Sequence, residues 1–407
     1  MAIDLEALYF DLHEHPELSF AEHRTAAVVA ERMTDLGLEV FAGIAGTGVA
    51  AVLRNGDGPT VLLRADMDGL PVHEETGLPY ASEARGVDPM GRDVPVMHAC
   101  GHDVHMTCLV GAVERLVDER SEWRGTLIAV FQPSEERDGG AKAMVEDGLY
   151  DKVPTPDVVL GQHVSGFPAG TVVVHSGPAM AAVNAITARM FGQGGHGSRP
   201  ETAIDPVVMA AAAVMRLQTV VSREISPKQT AVVSVGAIHA GTKSNIIPAE
   251  ATLEISLRSF DPDVRAKLLA SVERIIRAES DASAAPRPPE FTYGEDYPVT
   301  FNDPDATERT AAALRSALGD AHVGDPGQIT GSEDVGILAS AVGAPLVYWF
   351  LGGFAPELFT GPLGTIEPTL PANHSPLFAP LPQPTIDTGV TALVAAAREW
   401  LGAPGGA

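Results

Sequence analysis

Cysteine is almost absent from this sequence: Cys100 and Cys108 are the only two in 407 residues. A pair cannot build a disulfide framework, so either one serves as a ligand, a nucleophile or packing. Basic charge is also scarce. With 27 Lys and Arg against 53 Asp and Glu, the formal charge is −26, which repels phosphate backbones and anionic membranes and argues against a nucleic acid partner. The sign leaves the substrate open, because bound metal ions can make a pocket locally positive. The first ten residues, MAIDLEALYF, hold Asp4 and Glu6 but neither a basic start nor an apolar stretch of signal-peptide length, so a cytoplasmic location is expected. The longest uncharged run, Val335 to Pro356, is broken by Gly343-Ala344-Pro345 and reads as a short helix followed by a buried strand, not a membrane span. Internal repeats and low-complexity tracts are missing too.

What is present is the balance of a globular protein, with 45% hydrophobic and 20% charged residues. A single core usually stops growing at roughly 250 to 300 residues, so two domains are expected. Up to about residue 180, helical patterns (Ala21 to Leu36, Asp103 to Asp118) alternate with apolar runs at 48–53, 60–65, 125–131, 157–162 and 170–175. Near-continuous runs such as Thr126 to Phe131 are what strands buried on both faces require. This predicts an α/β domain with a mixed, largely parallel sheet flanked by helices. From 181 to 294 the order becomes strand, helix, strand, strand, helix, strand. Asp205-Pro206 and Asp261-Pro262 announce the helices, and Thr252 to Phe260 alternates between an apolar and a polar face. That is the ferredoxin-like α+β order. The α/β pattern resumes from 295 to 407, with helices predicted from Pro304, from Ser332 and from Pro384 to Leu401, and a strand at Leu346. A domain of residues 181–294 is thus expected as an insertion between two parts, 1–180 and 295–407, of one catalytic domain.

The densest chemical signal is Met97-His98-Ala99-Cys100-Gly101-His102-Asp103-Val104-His105. Thiolate and imidazole suit zinc and other transition metals, and a place at the carboxyl end of a strand is expected for Cys100 and His102, where open α/β sheets hold their ligands. Helix capping is the plain alternative, and His98 and His105 fit hydrogen-bonded support equally well. At Gln132-Pro133-Ser134-Glu135-Glu136 two adjacent carboxylates leave an apolar strand and need a cation or a proton. One can ligate while the other takes a proton from a bound water. His163 follows a further strand and, taken alone, is more often a packed core residue than a ligand; His374 lies in a late loop that spacing alone does not select. Asp66 and Asp68 end the 60–65 strand, where Asp66 can orient a ligand His and Asp68 suits the turn. Gly192-Gln193-Gly194-Gly195-His196-Gly197 lacks the spacing of a dinucleotide fingerprint and permits close backbone approach around His196. Asn245 and Arg258 are candidate substrate anchors or ordinary surface residues.

Together these blocks resemble peptidase family M20, in the branch of aminoacylases, hippurate hydrolases and auxin-conjugate hydrolases. The matching segments are His13-Glu14-His15-Pro16-Glu17-Leu18 with Glu22, Arg64 to Asp68, Met97 to His105, Phe131 to Glu136, His163, Gly194 to Ser198, Asn245 to Pro248, Gly331 to Asp334 and Asn373 to Pro376. The resemblance implies two divalent metal ions, zinc or manganese with cobalt and nickel as alternatives, held by Cys100, His102, Glu136, His163 and His374. It implies Glu135 as general base and Asp66 as support of the metal site, with Arg64 where other branches place a metal-binding His. For the inserted domain it implies a lid and dimerisation role, with His196 reaching the scissile carbonyl oxygen and Asn245 and Arg258 holding the substrate's carboxylate. The implied activity is hydrolysis of the amide bond of N-acyl amino acids by a homodimer or tetramer. The alternative is a metallo-exopeptidase of the same family.

Overall fold

The computed structural model describes residues 3–137, 139–365 and 367–403. The chain divides into two compact units, one of Met1–Ala179, Thr300–Ile329 and Asp334–Ala407, the other of Met180–Val299 with Thr330–Glu333. In the first unit an eight-stranded mixed sheet runs in the order Glu39–Ile44, Gly48–Asn55, Gly125–Gln132, Thr60–Asp66, Val158–Pro168, Leu346–Phe354, Val172–Val173 and Val323–Gly324. Its centre is parallel: Leu62 pairs with Ile128 on one side and Val159 on the other, and Leu346–Phe354 continues beside Val158–Pro168. Strands wanting water on neither face must be apolar throughout, and Val61 to Ala65, Leu127 to Phe131 and Val347 to Leu351 are buried at every position. The helices His102–Asp118, Thr385–Trp400 and Pro304–Leu318 pack on one another, and their buried apolar residues join one core with the sheet. Among the described residues, no helix is long and apolar enough to cross a membrane.

The second unit is a four-stranded antiparallel sheet, Ala231–Ala240, Glu250–Ser259, Ala182–Phe191 and Glu290–Tyr297 in that order. Helices Pro206–Thr219 and Pro262–Ala282 pack on each other and on the sheet. In chain order the strands lie 4-1-3-2, the ferredoxin-like arrangement. The alternation predicted for Thr252 to Phe260 holds, with Leu253, Ile255 and Leu257 buried. Asp205 accepts a hydrogen bond from the Val207 amide, and Asp261 accepts from Asp263 and Val264. Each therefore supplies an acceptor for first-turn donors that have no partner inside the helix.

Two local expectations change. Cys100 does not leave a strand of the main sheet: residues 85–95 form a separate two-stranded hairpin, and only Met97 bridges, antiparallel, to Leu70. The thiol therefore comes from a loop running straight into the helix that starts at His102. The helix expected from Ser332 spans only Gly336–Ser340. Asp334 is drawn inward instead, accepting from Gln132 Nε2 and the Ala141 amide, and Thr330–Glu333 belong to the other unit.

Candidate active site

Five structural devices deliver donor groups to the site. Thr60–Asp66 ends in Asp66, with Asp68 just beyond; Gly125–Gln132 runs into the Pro133–Glu136 turn; Val158–Pro168 carries His163. Cys100 and His102 flank Gly101, whose backbone is left-handed (φ 82°) and which a Cβ would set 2.3 Å from the Val164 side chain. Glycine is the residue that fits both demands. His374 returns late in the chain with a left-handed φ of 71°, its amide donating to the Ala99 carbonyl at 2.7 Å.

The structure brings the five nominated ligands and Glu135 together. Donor atoms of Cys100, His102 and His163 lie within 4.8 Å of one another, as do those of Cys100, Glu136 and His374, and those of His102, Glu135 and Glu136. Several groups approach without hydrogen-bonding. His374 Nε2 is 3.1 Å from Glu136 Oε1 and His102 Nδ1 is 3.4 Å from Asp68 Oδ1, yet Glu136 Oε1 and both His102 nitrogens are buried without a hydrogen-bond partner. Buried polar atoms are normally satisfied. A thiol, imidazoles and carboxylates that converge with an imidazole and a carboxylate oxygen left unsatisfied fit divalent transition ions between them.

The supporting groups define protonation. His163 Nδ1 donates to the Val164 carbonyl at 2.8 Å, leaving the Nε2 lone pair facing Cys100 Sγ at 3.4 Å. Burial, then the neighbouring His105, pushes His163 well below the usual histidine range, so it is neutral. Burial alone would lower His102, but Asp66 and Asp68 outweigh it and raise it to about 10. Burial and then the Glu136 and Glu135 carboxylates push the Cys100 thiol up. The carboxylates thus favour the protonated forms of Cys100 and His102, an effect that added cations reverse.

Asp66 was expected to orient a ligand histidine. It accepts instead from His105 Nδ1 at 2.5 Å, while His105 Nε2 accepts the Val164 amide at 2.8 Å. With both nitrogens engaged, His105 links helix to strand. The fully buried Arg64 anchors Asp66 at 2.7 Å, donates to Gln132 and reaches Asp334 Oδ1 at 3.3 Å. Burial opposes the Asp66 charge, but Arg64, then His102 and His105, hold the carboxyl well below the usual range.

Two groups in the site were not picked out by sequence reasoning. Asp68 is no mere turn residue: its oxygens accept the Glu135 amide at 3.0 Å, the Glu136 amide at 3.1 Å and Ser19 Oγ at 2.7 Å. Its place two residues after Asp66 at a strand end was the available signal. Asn373 donates to the carbonyls of Cys100 and Val164 and accepts from Ser165 Oγ, tying three segments together. Only adjacence to His374 pointed to it.

In the second unit, His196 and Asn245 are neighbours through the two-residue ladder Gly195–His196 with Ile246–Ile247, and both are exposed. The Ser198 amide donates to His196 Nδ1 at 3.1 Å, which makes Nδ1 the acceptor and leaves Nε2 as the donor nitrogen. Arg258 is on the more polar face of its strand, half-buried, and donates to the Thr330 carbonyl at 2.7 Å.

An α/β unit with an acid- and imidazole-rich cluster at the carboxyl side of its parallel strands, together with the relatives of this chain, marks a hydrolase acting on amide bonds. The chain belongs to peptidase family M20/M25/M40, whose model matches residues 62–362. It is 38% identical over 347 residues to thermostable carboxypeptidase 2 of Saccharolobus solfataricus, spanning 84% of each chain. It is 34% identical over 381 residues to an N-acetylcysteine deacetylase of Bacillus subtilis, 93% of this chain and 96% of that one. A solved dinuclear metal binding peptidase of family M20 from Bacillus subtilis superimposes with a TM-score of 0.74 at 28% identity, covering 97% of this chain and 98% of its own.

Proposed function

We propose that this protein hydrolyses the amide bond of N-acyl amino acids, using two divalent metal ions held by Cys100, His102, Glu136, His163 and His374. The observation that carries the reading is the convergence of the five donor side chains, with both His102 nitrogens and Glu136 Oε1 buried and without hydrogen-bond partners, and with Glu135 next to Glu136 on the same turn. Zinc or manganese suits a thiolate, imidazole and carboxylate set, with cobalt or nickel as substitutes. When bound, the ions lower the pKa of water and polarise the substrate carbonyl.

The chain's own residues do the rest. Glu135, fixed through its amide by Asp68, takes the proton of the attacking water and returns it to the leaving nitrogen as the C–N bond breaks. Asp66 supports the cluster through His105 and Arg64. His196 Nε2–H is the donor to the developing oxyanion, a contribution of about 3 kcal/mol. Asn245 and Arg258 hold the substrate carboxylate. The second unit acts as lid and dimerisation domain of a cytoplasmic homodimer or tetramer. Support for self-association is the exposed apolar Ile238 on the edge strand and Val208 and Met215 on the Pro206–Thr219 helix.

The carboxypeptidase name of a relative at 38% identity favours a second reading, a metallo-exopeptidase. Turnover of N-acetyl and N-benzoyl amino acids against dipeptides, each with zinc, manganese, cobalt or nickel restored after chelation, separates the two. Dipeptide turnover more than about tenfold faster than that of any acyl amino acid, a gap of about 1.4 kcal/mol, would replace the first reading with the second.

A further inference from the structure

Glu22 is buried without a charged partner. It occupies the cap position of the His23–Asp35 helix, but its side chain makes no capping hydrogen bond. The carboxylate points into the interior instead, wholly inaccessible. Oε1 accepts the Ser134 amide at 2.9 Å and Oε2 accepts Thr47 Oγ1 at 2.6 Å. Both partners are neutral, so nothing charged offsets the cost of desolvating the carboxylate. Burial, then repulsion from Asp68, raises Glu22 to about 7.

What this expensive group holds is the turn that carries Glu135 and Glu136. Three successive amides donate to two buried carboxylates: Ser134 to Glu22, Glu135 and Glu136 to the two oxygens of Asp68. Ser134 is left-handed without being glycine (φ 50°), a conformation that persists only where its surroundings enforce it. From the other side Gly140 closes on the turn so tightly that a Cβ there would lie 1.6 Å from the Pro133 carbonyl oxygen. Asp68 also lies beside His102, so its removal would disturb the ligand set. Among the described residues the Glu22 carboxylate hydrogen-bonds the Ser134 amide of the turn and Thr47, and none of the nominated ligands.

We infer that Glu22 is a positioning residue for amide hydrolysis, setting the orientation of Glu135 by gripping the Ser134 amide from another part of the chain. The inference rests on Glu135 being the base. A displacement of about 1 Å at a reacting group costs on the order of 100-fold in rate. Glu22→Ala, which leaves the Ser134 amide without an acceptor, should therefore lower kcat by about 30- to 100-fold, with KM within about threefold and metal content per chain unchanged. Glu22→Gln can accept from Ser134 through its oxygen and donate to Thr47 through its nitrogen, and should restore kcat to within about threefold of the parent. Should Glu22→Ala fail to fold, Glu22→Asp, one methylene too short, and Thr47→Val, which frees one oxygen of Glu22, carry the test. Both should lower kcat, the first more than the second.

Parent-like kcat in Glu22→Ala, an equal loss in Glu22→Gln and Glu22→Ala, or loss of metal in step with activity would each overturn the assignment. Glu135→Gln is measured alongside. If that variant stays active, the assignment of the base falls; if it is inactive while Glu22→Ala is parent-like, only the role of Glu22 falls.

Discussion

The donor cluster of the first unit and the candidate substrate contacts of the second are built on opposite principles. In the first, Asp66, Asp68 and Glu135 are buried, and Asp66 and Asp68 are held by partners from distant segments. In the second, His196 and Asn245 are exposed on a two-residue ladder set among glycines. A group whose position is over-determined can act only in one geometry, as proton transfer requires. A group set among glycines can adjust to what it binds. The contrast implies that changes in the first unit act on kcat and changes at the candidate carboxylate contacts of the second, Asn245 and Arg258, on KM, with His196 as oxyanion donor the exception.

The sharpest break of that contrast is Glu135→Gln. Removing a general base at the centre is expected to lower kcat by 10³-fold or more, about 4 kcal/mol, while metal content stays at the parent level. Metal analysis and steady-state rates on the same preparation check it. Activity within about tenfold of the parent would show that the buried centre is not where the proton is taken.

The second test asks whether burial in the first unit also carries stability. His13 lies between Asp103 at 2.6 Å and Glu74 at 3.2 Å. Burial opposes its charge, but the hydrogen bonds to Asp103 and Glu74 raise it to about 10 from 6.5. A folded pKa above the unfolded one means the fold binds the proton more tightly. The stabilisation is complete below about pH 6.5 and is lost as pH rises toward 10. Relative to the parent, His13→Gln should be destabilised by a few kcal/mol at pH 6, and the gap should close toward pH 10. Denaturant melts across that range decide it; a gap independent of pH would remove the ion pair from the account.

Much of the fold and the cluster was legible because both rest on local signals. Apolar runs marked the central strands, Asp-Pro pairs marked the inserted helices, and adjacent donor residues such as Cys100 with His102 and Glu135 with Glu136 stood out by density. What escaped depends on single hydrogen bonds between segments far apart. Asp68 acts on amides 67 and 68 residues away, and Glu22 on one 112 residues away, and a side chain that grips a distant amide leaves no periodic trace. The origin of Cys100 was misjudged for a related reason. The hairpin at 85–95 breaks the alternation of strand and helix, and its short strands pair only with each other.

The smallest expected effect lies in the second unit and sharpens the contrast from its other side. Arg258 has one nitrogen committed to the Thr330 carbonyl, and a guanidinium has four further N–H donors in a planar fork suited to a carboxylate. If it anchors the substrate's carboxylate equally in ground and transition states, Arg258→Ala should raise KM about tenfold, about 1.4 kcal/mol, with kcat within about threefold. Substrates whose carboxylate is amidated should lose nothing further, because the partner is already gone. Lysine at this position should recover part of the KM, since it restores the charge but not the fork. Equal effects on free and amidated substrates would leave Arg258 as a strand residue that holds residue 330, and a loss confined to kcat would put this unit under the same demand for fixed geometry as the first.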